Sequence, residues 1–314
     1  MDTPQDASLR LRGHEEALTA FRHAFEAGRL HHAWLLCGPE GTGKAALAFR
    51  MARIVLNGEN GESPAGRRIT AGTHADLLSI SRAWDEKKNR LRPEIVADEI
   101  RPVASFLHRT AAEGGWRVVI IDSADTMNRN AANALLKVLE EPPPDALLIL
   151  TASAPGRLLP TIRSRCRTLP LRPLETTDLQ AVLARAMPEA SADDITHAAD
   201  QAGGSAGRGI TLLSGEFRTA TALAEEAMNG VSVARAIEIA DKTGRDENAA
   251  MLFLSRLTAL VAERARTGAL ARHPSADRSA RLWENLRRLT AETERFSLDR
   301  QEALIEAINL VRSS

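Results

Sequence analysis

The stretch Gly38-Pro39-Glu40-Gly41-Thr42-Gly43-Lys44 decides the fold of this chain. It follows a short apolar run, Ala33–Cys37, that predicts a buried strand, and it precedes a helical pattern that breaks at Asn57-Gly58. Between a strand and a helix, glycines let backbone N–H groups close around phosphate oxygens, and the helix N-terminus adds its positive dipole end. The stretch therefore predicts a P-loop, against the alternative of a merely glycine-rich turn. The predicted phosphate-binding residues are Gly38, Gly41, Thr42, Gly43 and Lys44.

The residues that should hold and use a magnesium ion are incomplete. Ala45 stands where the hydroxyl of a Ser or Thr would coordinate Mg²⁺. Asp122 ends the buried run 118–121 as an expected metal-side acid, but Ser123 follows it, and a serine hydroxyl is a poor general base at neutral pH. Asp125 is the alternative base, but it lies three residues after Asp122 and is therefore predicted to face another way. The sequence predicts a degenerate nucleotide site that includes Asp122: ATP or ADP binding stays open, hydrolysis is not expected, and no metal is assigned.

Strand and helix patterns alternate through the first half of the chain. Apolar runs at 77–80, 118–121 and 147–150 predict further strands, and helical spacing covers 14–27, 100–112 and 130–141. This alternation favours a parallel sheet of βαβ units, whereas only helical patterns follow Pro173. We predict three domains: an α/β, Rossmann-like P-loop sheet domain (1–173), a small helical lid (174–213) and an all-α collar (214–314).

Several local features complete this prediction. The segment 58–66 is rich in turn-forming residues and predicts a loop, and Asp85 to Arg92 predicts a charged turn. Ser191 and Ser297 each precede a helical pattern and are predicted helix starts. In the C-terminal third, a broad apolar stripe near 252–261 is predicted to be core, with a ring-forming interface as the alternative.

Composition and charge exclude several classes of protein. Hydrophobic residues make up 44% and charged residues 26%, a balance typical of a folded globular chain. Lys and Arg together equal Asp and Glu, 41 each, so any contact with DNA must be local or delegated to partners. The polar N-terminus resembles no secretory signal, and no apolar stretch has the roughly 18 residues of a membrane span. Two lone cysteines exclude a four-cysteine zinc site. We therefore expect a soluble cytoplasmic protein with no membrane contact.

Four stretches carry a resemblance to a known family. They are His74-Ala75-Asp76-Leu77-Leu78, Asn130-Ala131-Ala132-Asn133-Ala134-Leu135-Leu136-Lys137, Leu139-Glu140-Glu141-Pro142-Pro143 and Leu158-Leu159-Pro160-Thr161-Ile162-Arg163-Ser164-Arg165-Cys166. Together with Gly28-Arg29-Leu30-His31-His32-Ala33 they resemble the clamp-loader branch of the AAA+ proteins, most closely the delta prime family of bacterial DNA polymerase III. The resemblance covers nearly the whole sheet domain, whereas the helical C-terminal third matches only in general character.

The resemblance implies roles for two arginines. In this family the Ser-Arg-Cys motif presents an arginine to the ATP of a neighbouring subunit, which by motif match is Arg165; the alternative is a surface arginine paired with a carboxylate. Arg208 matches a position that senses nucleotide from the helical lid, with an ordinary helix-start arginine as an even alternative. The family's AAA+ ATPases carry a glutamate where Ser123 stands. Related proteins often carry a zinc module after the P-loop helix, but 56–100 contains no cysteine, so zinc is not expected.

The resemblance also implies a function and partners. We expect a non-hydrolysing clamp-loader subunit that acts as a rigid partner and donates Arg165 in trans during loading of the sliding clamp onto primed DNA. Its expected partners are the motor subunits and the delta subunit, bound through the C-terminal domain, with clamp and DNA reached through the complex. Two alternatives stay open: a motor ATPase that uses Asp122 or Asp125, and a P-loop adaptor outside replication.

Overall fold

Five parallel strands form the central sheet, in the order β2-β5-β6-β1-β7. The computed structural model describes residues 3–86, 90–113, 115–273, 276–296 and 298–313. The strands are β1 (Ala33–Cys37), β2 (Leu77–Ile80), β5 (Arg117–Ile121), β6 (Ala146–Ala152) and β7 (Arg167–Pro170), and a separate hairpin pairs β3 (Trp84–Asp85) with β4 (Arg90–Leu91). Every residue of β5 and β6 is buried, as expected of strands covered on both faces. The predicted α/β parallel fold is confirmed.

Helices cover both faces of this sheet. They are α1 (Pro4–Ala7), α2 (Glu15–Glu26), α3 (Lys44–Val55), α4 (Pro64–Thr70), α5 (Ala97–Ile100), α6 (Pro102–Leu107), α7 (Arg129–Glu140) and α8 (Pro160–Arg163). Alternate residues of one strand serve the two faces: Val118 and Ile120 pack with α2, α3 and α4, whereas Val119 and Ile121 pack with α5 to α8. Burial of these two apolar layers positions the loops at the carboxyl ends of the strands.

The remaining helices follow the sheet in the sequence. They are α9 (Thr176–Ala186), α10 (Ala192–Ala202), α11 (Ala206–Leu213), α12 (Gly215–Met228), α13 (Val233–Thr243), α14 (Glu247–Leu270), α15 (Ala276–Phe296) and α16 (Arg300–Arg312). Two units result, Met1–Ile210 and Thr211–Ser314, and the second has its own core of residues from α12 to α16. The predicted lid helices α9 and α10 lie within the first unit, and the three-domain division stays a prediction.

Four local predictions differ from the structure. The edge strand β7 was not predicted, because its Arg-Thr-Leu-Pro sequence is mostly exposed and carries no apolar run. The predicted turn at Asp85–Arg92 is instead the hairpin of β3 and β4, and α4 begins inside the predicted loop 58–66, where Ser63 caps it. The predicted helix 100–112 is divided at Pro102, which begins α6, and α6 ends at Leu107.

The sequence predicted helix starts at two serines, Ser191 and Ser297. The Ser191 side chain accepts a hydrogen bond from the backbone N–H of Asp194, as predicted for the start of α10. Ser297 lies outside the described residues, and α16 is instead capped by Asp299. Of the predicted C-terminal stripe, Phe253, Leu254, Leu257 and Val261 are buried. No helix in the described part of the chain is long and apolar enough to span a membrane.

Candidate functional site

The P-loop connects β1 to α3 and has the predicted context. Gly41 and Gly43 have φ angles of +75° and +88°, in the left-handed region that favours glycine. A Cβ atom at Gly41 would also lie 2.3 Å from the Oγ of Ser205, so a side chain there would collide with the segment before α11. The glycines therefore provide both the backbone turn and the close approach of a second segment.

Lys44 is folded back onto the loop that precedes it. Its Nζ donates hydrogen bonds to the carbonyl oxygens of Gly38 (2.9 Å) and Pro39 (2.7 Å), and only 7% of the residue is exposed. Burial lowers the pKa of Lys44 from its ordinary value, while the negative charges of Asp122 and Asp125 oppose that shift. Phosphate binding through Lys44 would therefore have to replace two hydrogen bonds that the loop already supplies.

The predicted metal-side residues meet at the ends of β5 and β6. The Thr151 hydroxyl donates to Oδ1 of Asp122 (2.6 Å) and accepts from the backbone N–H of Ser123 (2.8 Å). Ser123 has a φ of +58°, so the backbone turns sharply straight after Asp122. Asp125, the alternative base, accepts hydrogen bonds through Oδ2 from the N–H groups of residues 153 and 154 (3.1 and 2.7 Å). Its carboxylate is thus used to hold the chain after β6.

Two further segments contact the P-loop. His14, whose φ is +65°, donates a 2.7 Å hydrogen bond from Nε2 to the carbonyl oxygen of Thr42. Ser205 donates from Oγ to the carbonyl oxygen of Glu40 (2.9 Å). The backbone N–H of Gly207 donates to the carbonyl oxygen of Gly41 (3.2 Å). Sequence reasoning missed His14 and Ser205, because contacts across 28 and 165 positions leave no local pattern.

Arg208 lies in the first turn of α11, directly after the residues that contact the P-loop. Its backbone N–H donates to Oγ of Ser205 (3.2 Å), and the residue is exposed. The structure thus brings the helix that carries Arg208 to the predicted phosphate-binding residues. Its role as a nucleotide sensor stays a prediction.

Arg165 follows α8 and bonds residues outside the P-loop. Its Nη2 lies 2.9 Å from Oε1 of Glu140, and its Nη1 donates to the carbonyl oxygen of Thr161 (3.0 Å). About a third of the Arg165 side chain is exposed (35%). The neighbouring Cys166 instead packs against the apolar core, and burial raises the pKa of its thiol to about 12. The motif therefore combines an apolar anchor at Cys166 with a guanidinium at the surface.

Comparisons with known proteins show the family of this chain. A family model described as DNA polymerase III, delta subunit, matches residues 13–175. The delta prime subunit of Pseudomonas aeruginosa is 42% identical over 182 residues, which is 55% of this chain and 53% of the relative. That of Escherichia coli is 35% identical over 203 residues, or 62% of this chain and 58% of the relative. The chain thus spans only about half the length of the curated relatives it matches.

A tau-subunit relative and a solved structure also match. The tau subunit of Escherichia coli is 31% identical over 227 residues, covering 69% of this chain and 32% of the relative. A gamma-subunit-related DNA polymerase III protein from Thermotoga maritima has a TM-score of 0.52 at 18% identity, covering 94% of this chain and 98% of that one. At this identity the second match supports the fold alone.

Proposed function

This chain belongs to the family described as DNA polymerase III, delta subunit, and on that premise we propose that it is a non-hydrolysing subunit of a clamp loader. The matches to delta prime subunits confirm the family resemblance that the sequence motifs indicated. In this proposal the chain assembles with motor subunits and a delta subunit and helps to load a sliding clamp onto primed DNA. It contributes Arg165 to the ATP that a neighbouring motor subunit holds.

The absence of hydrolysis rests on one observation, the chemistry at positions 45 and 123. Ala45 offers no hydroxyl for Mg²⁺, and Ser123 offers no carboxylate to activate water. The bond of Asp125 to the backbone after β6 supports the same conclusion, since this carboxylate already has two donors. A nucleotide, if bound, would be held by the backbone of 41–44 and by Lys44. Its phosphate charge would order the loop, and no hydrolysis would follow.

We expect the purified chain to hydrolyse no ATP above the rate of its Lys44→Ala variant, with Mg²⁺ present and with or without primed DNA. The physical reason is that metal binding and water activation are both impaired in the same step. A sensitive phosphate-release assay on both proteins measures this. Turnover that Lys44→Ala abolishes would contradict the proposal and would favour the motor ATPase.

The contribution of Arg165 in trans rests on its exposure and its weak attachment. An exposed ion pair such as Arg165–Glu140 contributes about 0–1 kcal/mol, so a neighbouring phosphate can draw the guanidinium away at little cost. A guanidinium stays charged at any physiological pH and offers a planar set of donors to phosphate oxygens. These properties suit a residue that acts on a partner's nucleotide.

A further inference from the structure

A cleft of about 460 Å³ lies between the segment that precedes α2 and the helix α9, both of which belong to the first unit. The described residues that line it are Arg10, Leu11, Arg12, Ala181 and Arg185. None of the predicted phosphate-binding residues of the P-loop is among them. Its volume falls within the range of about 300–1,000 Å³ that is typical of small-molecule sites, so the cleft is large enough for a ligand of its own.

The two walls of this cleft are fixed relative to each other. Nη1 of Arg185 donates a hydrogen bond to the carbonyl oxygen of Arg10 (3.1 Å), which joins α9 to the N-terminal segment. Leu11 packs against the apolar layer formed by β1, α2 and α3, and Ala181 lies one helical turn before Arg185 on the same face of α9. One guanidinium is therefore oriented at the cleft before any ligand arrives, which lowers the ordering cost of binding.

The cleft is strongly basic. Three of its five lining residues are arginines, and none of the described lining residues is acidic. Arg10 and Arg12 are exposed and Arg185 is half-buried. Asp178, the acidic residue of α9, lines a different cleft together with Gly13. Even when Asp178 is counted, three arginines against one aspartate leave an excess of two positive charges, in a chain whose total charge is zero. Such an excess attracts and holds anions.

We propose that this cleft binds a small molecule that carries at least two linked phosphate groups. A guanidinium presents a planar fork of N–H donors that matches phosphate oxygens, and it stays charged at any physiological pH. A phosphate monoester carries about 1.5–2 negative charges at pH 7, so two phosphates are needed to balance three arginines. The other two lining residues, Leu11 and Ala181, offer no charged side chain that competes with the ligand. The binding groups belong to this chain alone, and the inference does not rest on the proposed clamp-loader role.

The test titrates inorganic pyrophosphate into the full chain by isothermal titration calorimetry, at low salt and without Mg²⁺. The chain carries Lys44→Ala in every sample, so that binding at the P-loop contributes little. Arg12→Ala and Arg185→Ala should each weaken pyrophosphate binding by about 10-fold or more, because each removes charge-assisted hydrogen bonds to phosphate. Arg12→Ala is included because Arg185→Ala also removes the bond to the Arg10 carbonyl. Arg172→Ala, at an exposed arginine of the neighbouring cleft, is the matched control and should keep the affinity.

Three results would overturn the proposal, each in a different way. No binding of pyrophosphate at low salt would exclude the cleft as a phosphate site. Binding that survives both arginine variants would place the phosphates elsewhere on the chain. Binding of a DNA duplex that depends on Arg12 and Arg185, without any binding of pyrophosphate, would assign the cleft to a nucleic-acid backbone. The titration contains neither ATP nor partner subunits, so its outcome is independent of the role proposed for Arg165.

Discussion

Replacing Arg165 with alanine should lower ATP hydrolysis at the interface proposed between this chain and a motor subunit by about 10³-fold or more. An arginine supplied in trans stabilises the charge that develops on the transferring phosphoryl group, and alanine leaves that charge without its donor. The change should hardly affect folding, because the bonds of Arg165 to Glu140 and Thr161 lie at the surface.

The contribution of Arg165 can be isolated by mutating the corresponding arginines of the motor subunits. In a reconstituted loader whose motor subunits carry alanine at the arginine of their own Ser-Arg-Cys motifs, the remaining DNA-stimulated hydrolysis should depend on Arg165. Arg165→Lys should restore only part of the rate, since a lysine lacks the planar set of donors. Arg157→Ala, at an exposed arginine just before α8, is the matched control and should keep the full rate. A loader with Arg165→Ala that hydrolyses as fast as this control would contradict the trans role.

Replacing Arg53 with leucine should lower the free energy of unfolding by about 3–5 kcal/mol. Arg53 lies in α3 and is fully buried, and none of its hydrogen-bond partners among the described residues is a carboxylate. It donates to five acceptors, which are the carbonyl oxygens of Gln5 (3.1 Å), Gly58 (3.0 Å) and Gly66 (3.1 Å) and the hydroxyls of Ser8 (2.7 Å) and Thr70 (2.7 Å). Leucine would remove all five of these donor contacts, and among the described residues only the Gln5 carbonyl would keep a second side-chain donor, the hydroxyl of Ser8 (2.6 Å).

The loss should be regional. Arg53 ties the N-terminal segment and α4 to the P-loop helix, so hydrogen exchange should rise first in peptides that cover 5–10 and 58–70. Urea unfolding of the full chain gives the total effect. Arg50→Leu is the matched control on the same helix, because within the described part of the chain Arg50 forms a partly exposed ion pair with Glu59 (3.3 Å); its loss should cost less than about 1 kcal/mol. Equal stability of the two variants would contradict the assignment.

The elements that the sequence predicts well are those with a strong local pattern. Apolar runs identify β1, β2, β5 and β6; β1, β5 and β6 are buried along almost their whole length, whereas in β2 only Ile80 is buried. The P-loop is recognised because its glycines are needed at fixed positions between a strand and a helix. The absent hydroxyl at Ala45 and the absent carboxylate at Ser123 are also visible in the sequence, since each concerns one residue type at one position.

What the sequence does not predict depends on contacts between distant positions. Arg53 sits in an apolar helix with acceptors up to 48 positions away, and no local spacing indicates them. The orientation of Asp125 is set by backbone groups 28 and 29 residues later. The hairpin at Trp84 was missed because its strands have two residues each, too short to show an alternation. The partner of Arg165, Glu140, likewise follows only from the packing of α7 beside α8.

In the proposed function this chain acts on a partner's ATP and not on its own. The most direct test compares clamp loading onto primed DNA by two loaders, one assembled with Lys44→Ala and one with Arg165→Ala. We expect Lys44→Ala to leave the loading rate near that of the wild type, whereas Arg165→Ala should abolish loading that depends on this interface. The reverse pattern, with loading lost in Lys44→Ala and kept in Arg165→Ala, would contradict it.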